Sequence, residues 1–234
     1  MKIKDFRKGM YHGMPIGLGY LSVSFGFGIM AVKSGLTTLV AALISASNLT
    51  SAGQAAGVGI IAAGGTLIEM ALVQFTINLR YSLMALSLSQ KLDKSFTLPH
   101  KLLASFGITD EIFAVSAGRK EKLTPWYMYG MILVAFTGWV TGTVLGASAG
   151  QLLPQSVSAA LSIMLYGMFI AIIVPPARKE RSILVVIVIA ALISILFRYL
   201  ITVVSGGFAV IISALAASSA GALLFPVKGE EESE

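Results

Sequence analysis

The chain has 234 residues, of which 56% are hydrophobic and only 12% are charged. Soluble domains carry about 25% charged residues, so this chain cannot cover a water-exposed surface, and a soluble domain is excluded. Its net charge of +6 therefore indicates orientation in a membrane rather than affinity for nucleic acid. The composition predicts an all-α integral membrane protein with several spanning helices.

Six segments are long and apolar enough to cross a bilayer as helices. They are Met14–Val32, Thr66–Gln90, Trp126–Ala149, Val157–Val174, Ile183–Val203 and Gly206–Val227. The first follows a basic amino terminus but precedes no clear cleavage site, so we predict a retained helix rather than a signal peptide. We predict one transmembrane domain over residues 1–234, with a cytoplasmic amino terminus at 1–12, a cytoplasmic loop at 91–124 and an acidic tail at 228–234.

A seventh apolar region, Leu36–Ala63, is interrupted in its middle by the polar stretch Asn48–Gln54. Each half has about 12 residues, or ~18 Å of helix, whereas the hydrocarbon core of a bilayer is ~30 Å thick. Basic residues concentrate at the amino terminus, in Lys91–Lys122 and in Arg178–Arg181, and the positive-inside rule assigns all three to the cytoplasm. The broken region must then begin and end outside. It is predicted to be a re-entrant hairpin of two half-helices, and both termini are predicted to be cytoplasmic.

The break is the first candidate site. Ser51 and Gln54 have the spacing of a capping box, in which the Ser side chain caps an amide and the Gln side chain reaches back. The amides and positive dipole at the start of the second half-helix would suit a carboxylate. Alternatively, the polar turn caps its own helix and binds nothing.

The segment Thr66–Gln90 carries one ionisable side chain near its outer end and another deep within the predicted span. Arg80 lies about 14 residues, or ~21 Å, from the outer end, and an intramembrane ionisable residue is a functional candidate by default. It is alternatively a structural tie to backbone carbonyls or to an acidic residue on another segment. Asn78 is a candidate beside it. Glu69 lies one turn from the outer end and is interpreted either as a coupling group or as a solvated side chain.

An acidic pair, Asp110 and Glu111, occurs in the cytoplasmic loop, where apolar neighbours indicate a partly buried segment. Thr109 has the residue type of an N-cap, and Gly118 has that of a helix end, so the sequence predicts a short helix between them. The two carboxylates would lie in its first turn, where the helix dipole stabilises negative charge. The functional alternative is that the pair couples transport to protons or provides a partner for Arg80.

Four glycines recur at every fourth position of the segment Trp126–Ala149 and its end: Gly138, Gly142, Gly146 and Gly150. Small residues at this spacing allow another helix to approach closely. The neighbour is either an internal helix, which we favour, or a second protein. Arg198, near an outer helix end, is interpreted as structural because it can extend to the membrane surface.

Ordered motifs along the first half of the chain resemble the AzlC family, the large subunit of bacterial branched-chain amino-acid exporters. The motifs are Gly13–Pro15, Phe25–Gly28, Gly35-Leu36, Asn48–Gln54, Asn78–Arg80 and Thr109–Phe113. The resemblance implies export of leucine, isoleucine, valine and sometimes methionine, and a small hydrophobic partner of the AzlD type.

These observations lead to the hypothesis of a secondary transporter in the bacterial cytoplasmic membrane. The substrate carboxylate would lie at the start of the second half-helix, near Asn48, Thr50, Ser51 and Gln54. Asn78 and Arg80 would line the same cavity, and Asp110, Glu111 or Glu69 would be coupling or gating groups. The chain contains no catalytic motif, Walker loop or Cys/His cluster, so we expect no enzyme activity, cofactor or metal site. The alternatives are a non-transporting scaffold or regulatory subunit and an exporter of another small solute.

Overall fold

The computed structural model describes residues 2–150, 154–201 and 203–226, and ten α-helices run through them. In chain order they are α1 Lys2–Lys33, α2 Thr38–Ser47, α3 Ser51–Ala62, α4 Leu67–Ser89, α5 Leu98–Phe106, α6 Asp110–Ala117, α7 Pro125–Ala149, α8 Gln155–Lys179, α9 Arg181–Tyr199 and α10 Gly206–Leu224. Within these ranges the only extended pairing is an isolated bridge between Leu92 and Leu123. The all-α membrane architecture is confirmed.

Each of the six predicted spans corresponds to one long helix: α1, α4, α7, α8, α9 and α10. In the described parts of the chain, four helices, α1, α7, α9 and α10, are both long and apolar enough to cross a membrane. Helix α4 has 23 residues, but its polar side chains make it less apolar. The first span differs from its predicted boundary, because α1 begins at Lys2 and includes most of the expected amino-terminal tail. The predicted tail at 228–234 lies outside the described residues.

The chain divides into two compact units, which cut across its order. The first unit comprises Met1–Val58 and Ile77–Tyr166, and the second comprises Gly59–Thr76 and Gly167–Glu234. The prediction of one transmembrane domain is not tested by this division.

In the first unit, the glycines of α7 pack against α1. A methyl group at Gly138, Gly142 or Gly146 would overlap backbone carbonyl oxygens of α1. On α1, Gly13 and Gly17 lie equally close to the backbone of α7. The absent side chains let the two backbones approach closely. The internal neighbour that the spacing favours is therefore α1.

The broken apolar region forms two short helices, α2 with 10 residues and α3 with 12. The Ser45 hydroxyl lies 3.5 Å from Oε1 of Gln54 across the break, whereas nine residues of continuous helix would separate them by ~13 Å. Ala41 and Val58, farther from the break, share one buried cluster. The chain therefore reverses at residues 48–50, as a hairpin requires.

The segment between α4 and α7 folds back onto the first unit. It forms α5 and α6, and Ile112 of α6 is fully buried in the main core cluster with Tyr127 and Trp139 of α7. Thr109 caps α6 by accepting a hydrogen bond from the Ile112 amide, and α6 ends at Gly118. Both helix boundaries agree with the sequence prediction, and α6 places its acidic first turn inside the unit.

Candidate functional site: a polar cavity beside the helix break

A small polar cavity lies in the first unit, beside the turn between α2 and α3. Its volume is about 10 Å³, which is room for roughly one water molecule. The lining residues are Tyr20, Leu49, Ser51, Tyr81, Thr109, Asp110, Glu111 and Trp139. Two helices begin at this cavity, because Ser51 is the first residue of α3 and Asp110 the first of α6. An amino acid does not fit without a rearrangement.

The start of α3 is capped one residue earlier than the sequence predicts. The Thr50 hydroxyl, rather than that of Ser51, accepts a hydrogen bond from the Gly53 amide at 3.4 Å. The Thr50 side chain is available because it is the last residue of the turn, and Ser51 has already entered the helix. This corrects the capping box at Ser51 and leaves the Ser51 side chain on the cavity wall.

Gln54 does reach back across the break, but it binds a carbonyl group. Its amide nitrogen donates to the Asn48 carbonyl oxygen, and its Oε1 accepts the Trp139 indole N–H at 3.1 Å. Gln54 is 1% exposed, so these bonds satisfy a polar side chain that would otherwise be buried at high cost. The Ser45 and Thr143 hydroxyls, 2.7 Å apart, extend the polar contacts to α7. This network stabilises the turn.

Arg80 of α4 pairs with Asp110 of α6. Its Nη1 lies 2.7 Å from Oδ2 of Asp110, and its Nη2 donates to the Tyr81 hydroxyl at 3.1 Å. The Tyr81 hydroxyl in turn lies 3.3 Å from that of Thr50. An acidic residue on another segment is thus the partner of Arg80, and the contacts connect this ion pair to the helix break.

Glu111, the second acidic residue, has a different partner. The Tyr20 hydroxyl of α1 contacts both a Glu111 carboxylate oxygen and the Thr109 hydroxyl, the latter at 2.6 Å. The ring of Tyr20 meets that of Trp139 edge to face, with centroids 5.1 Å apart. The two neighbouring carboxylates are therefore distinguished by their partners: a cation holds Asp110, and a phenol holds Glu111.

Burial raises the pKa of Asp110 above the usual carboxyl value, although the Arg80 guanidinium acts to lower it. Glu111 next to it raises the pKa further, because a second negative charge opposes ionisation. Asp110 thus takes up a proton at a higher pH than an ordinary Asp side chain does.

Glu69 belongs to the second unit, and its partners belong to the same unit. Its Oε1 accepts hydrogen bonds from the Ser205 hydroxyl and, at 3.0 Å, from the Gly207 amide, so its carboxylate caps the start of α10. Glu69 is 5% exposed, which argues against the solvated interpretation. The contacts give it a structural place at a helix start, where negative charge is favourable.

The structure brings together most, but not all, of the candidate residues. Ser51, Asp110 and Glu111 line the cavity, and contacts link Thr50 and Arg80 to it through Tyr81. The Gln54 side chain binds the Asn48 carbonyl oxygen and the Trp139 indole, and neither Asn48 nor Gln54 lines the cavity. Asn78 is half-buried on α4 and does not line the cavity.

Sequence reasoning missed Tyr20, Tyr81 and Trp139. Each is an aromatic residue in an apolar helix, so the sequence does not distinguish it from an ordinary core or lipid-facing side chain. The one available signal is that Tyr81 follows Arg80 directly.

Comparison with known proteins identifies the family. The AzlC protein family model matches residues 15–153, a range that includes every residue lining the cavity. The chain belongs to the AzlC family. No solved structure matches it.

Individual relatives of this AzlC-family chain are membrane proteins. It is 32% identical over 172 residues to an uncharacterized membrane protein of Archaeoglobus fulgidus, covering 73% of this chain and 75% of the relative. It is 30% identical over 176 residues to the inner membrane protein YgaZ of Escherichia coli, covering 72% of each. An uncharacterized membrane protein of Helicobacter pylori J99 is 26% identical, covering 64% of this chain and 66% of the relative.

Proposed function

We propose that this chain is a secondary transporter that exports branched-chain amino acids, with a small AzlD-type membrane subunit as its partner. The observation that carries the proposal is the polar cavity at a helix break, enclosed by apolar helices and bordered by an ion pair. Polar groups and broken helices at membrane depth are costly, and they occur where they are buried in protein or line a water-filled cavity, such as the solute pathway of a transporter.

The proposed substrates follow from family membership and from the surroundings of the cavity. Leu49 and Trp139 contribute apolar surface beside the polar groups, which suits an aliphatic side chain attached to a charged head group. We propose leucine, isoleucine and valine, with methionine as a further substrate. The proposed location is the bacterial inner membrane, with both termini cytoplasmic.

The cavity in this structure is closed. With about 10 Å³ it holds no amino acid, so transport requires the groups around the break to separate. Alternating access by movement of one part of a transporter around a central site is the general solution for secondary transporters.

The first experiment measures release of labelled leucine from preloaded cells that express this chain with a small AzlD-type subunit. Cells with an empty vector are the control. We expect faster release, which intracellular isoleucine or valine competes away and lysine does not. Unchanged release with the protein present in the membrane would contradict the proposal and favour a non-transporting subunit or another solute.

A matched pair of cysteine variants connects this release to the cavity. The chain contains no cysteine, so Ser51→Cys and Ser95→Cys each introduce a single thiol. We expect a small membrane-permeant thiol reagent to label both and to block leucine release only in Ser51→Cys, because Ser95 is exposed in the segment between α4 and α5. Protection of Ser51→Cys during turnover would show that the break is a packed turn.

A further inference from the structure

The ion pair between Arg80 and Asp110 lies at the edge of the cavity. Asp110 lines the cavity, and Arg80 reaches it through its 2.7 Å contact with that carboxylate. The Nε atom of Arg80 is buried without a hydrogen bond, so the guanidinium has donor capacity that this conformation leaves unused. A guanidinium can hold a carboxylate with two parallel hydrogen bonds.

Three other polar side chains around the cavity are already bound within the protein. Glu111 is held by Tyr20, and Gln54 is held between the Asn48 carbonyl and Trp139. Thr50 caps α3. Arg80 and Asp110 are therefore two opposite charges at this site that pair with each other. Neither forms an ion pair with a further charged group of the described residues.

We infer that the Arg80–Asp110 ion pair opens to receive a zwitterionic amino acid, with the substrate carboxylate on Arg80 and the substrate ammonium group on Asp110. The inference rests on the proposed transport function and assigns the recognition of the amino-acid head group within it. It differs from recognition by the start of α3 alone, because it requires both charges of the substrate.

Charge balance is the physical reason for this arrangement. Insertion of a zwitterion converts one ion pair into two and leaves the net charge of the site unchanged, so no charge stays unpaired in a low-dielectric surrounding. A carboxylic acid without an amino group would leave Asp110 unpaired, and an amine without a carboxylate would leave Arg80 unpaired. The empty site avoids both costs by closing the pair on itself, which agrees with the closed cavity.

The test is equilibrium binding of labelled leucine to the full-length chain purified together with the small AzlD-type subunit, in competition with two analogues. Leucinamide lacks the carboxylate, and 4-methylpentanoate lacks the ammonium group. We expect neither to compete effectively in the unchanged protein. Asp110→Asn should weaken leucine binding about tenfold or more, because it removes a charged hydrogen-bond partner of the substrate ammonium group, and it should let 4-methylpentanoate compete about as well as leucine.

Arg80→Gln should show the reciprocal pattern, with leucinamide as the analogue that gains. Asp93→Asn and Arg7→Gln are matched controls, because both side chains lie away from the cavity, and they should keep the affinity and selectivity of the unchanged protein. Should either single variant unfold, the double variant Arg80→Gln, Asp110→Asn removes both charges together and should lose the preference for leucine over either analogue.

The outcomes separate this inference from the proposed function. Unchanged leucine affinity and selectivity in folded Asp110→Asn and Arg80→Gln, or in the double variant, would overturn the inference and leave leucine export standing. Failure of the unchanged protein to bind or release leucine would overturn both.

Discussion

At the residue scale, the helix break depends on one buried amide. Gln54 donates a hydrogen bond to the carbonyl of Asn48, which lies in the non-helical turn, and accepts one from the indole of Trp139. It therefore supplies a partner both to the turn and to a large buried ring. Such a turn inside an apolar protein persists only when its backbone groups have partners. Gln54 therefore supplies the partners that a non-helical segment needs in an apolar, buried surrounding.

Substitution of Gln54 by Leu keeps a similar volume and removes the hydrogen bonds to Ser45, Asn48 and Trp139. Each polar group left unpaired costs about 1–3 kcal/mol, so we expect a clear fall in the thermal unfolding temperature of the protein purified in detergent. Gln90→Leu, at an exposed position after α4, is the control and should have little effect. Equal unfolding temperatures for the two variants would show that the Gln54 network does not stabilise the break.

If leucine binds as proposed, Asp110 should make its affinity depend on pH. Its pKa is raised by burial and by Glu111, and lowered by Arg80, while Tyr81 of α4 and Tyr20 of α1 are the other titratable groups nearby. Only the ionised carboxylate binds an ammonium group, so affinity should fall as the pH drops through this raised pKa.

The check is leucine affinity measured across a pH series in the unchanged protein and in two variants. Asp110→Asn should lose this acid limb altogether. Arg80→Gln should move it to higher pH, because the cation that lowers the pKa is gone. An acid limb that persists at the same pH in Asp110→Asn would assign the titration to another group.

At the element scale, α1 and α7 form the closest helix pair of the first unit. Their contact has glycine on both sides, with Gly142 of α7 against the carbonyl of Leu21 and the hydroxyl of Ser24. Because α1 carries Tyr20 and α7 carries Trp139, this packing also determines where the cavity wall lies. The same principle holds in the second unit, where Gly207 of α10 leaves space for the capping carboxylate of Glu69.

Gly142→Ala should be destabilising, because the added methyl group overlaps α1 backbone atoms that cannot move independently. Overpacking of this kind costs about 1–3 kcal/mol. Gly19→Ala is the matched control on α1, where an added methyl group meets no other atom, and it should be neutral or stabilising by up to about 1 kcal/mol through helix propensity. Thermal unfolding of the two purified variants measures the difference, and an order of stability opposite to this one would contradict the close packing.

At the scale of the whole molecule, orientation rests on the distribution of basic residues. They concentrate in three segments, and the positive-inside rule assigns all three to the cytoplasm. Two cytoplasmic segments must be separated by an even number of crossings. For the first two segments this holds only if residues 36–63 do not cross the membrane. The structure supplies two half-helices too short to span, which is the geometry this count requires.

Single cysteines test the orientation directly. Ala63→Cys lies at the end of α3 and Ser95→Cys between α4 and α5, both exposed. In intact cells, an impermeant thiol reagent should label Ala63→Cys, and it should label Ser95→Cys only after permeabilisation. The reverse pattern would invert the orientation, and labelling of both from outside would contradict the hairpin.

The local sequence determined the class of the protein, its long helices and its broken hairpin. Apolar length, the polar interruption at residues 48–54 and the spacing of basic segments act through the membrane itself, since a bilayer imposes helix length and charge placement on any chain that crosses it. The cap at Thr109 and the end at Gly118 were equally predictable, because capping is decided within a few residues.

Tertiary structure alone decided which partner each polar side chain has. Arg80 and Asp110 are thirty residues apart, and the sequence left the acidic pair Asp110 and Glu111 and backbone carbonyls open as partners for Arg80. The choice depends on where α4 and α6 meet, which is a matter of packing. Glu69 likewise binds the start of α10 rather than water because of helix packing. Packing between helices sums many weak contacts between distant parts of the chain, which no local pattern contains. The local sequence therefore determines the helices, whereas the assembled first unit determines the cavity.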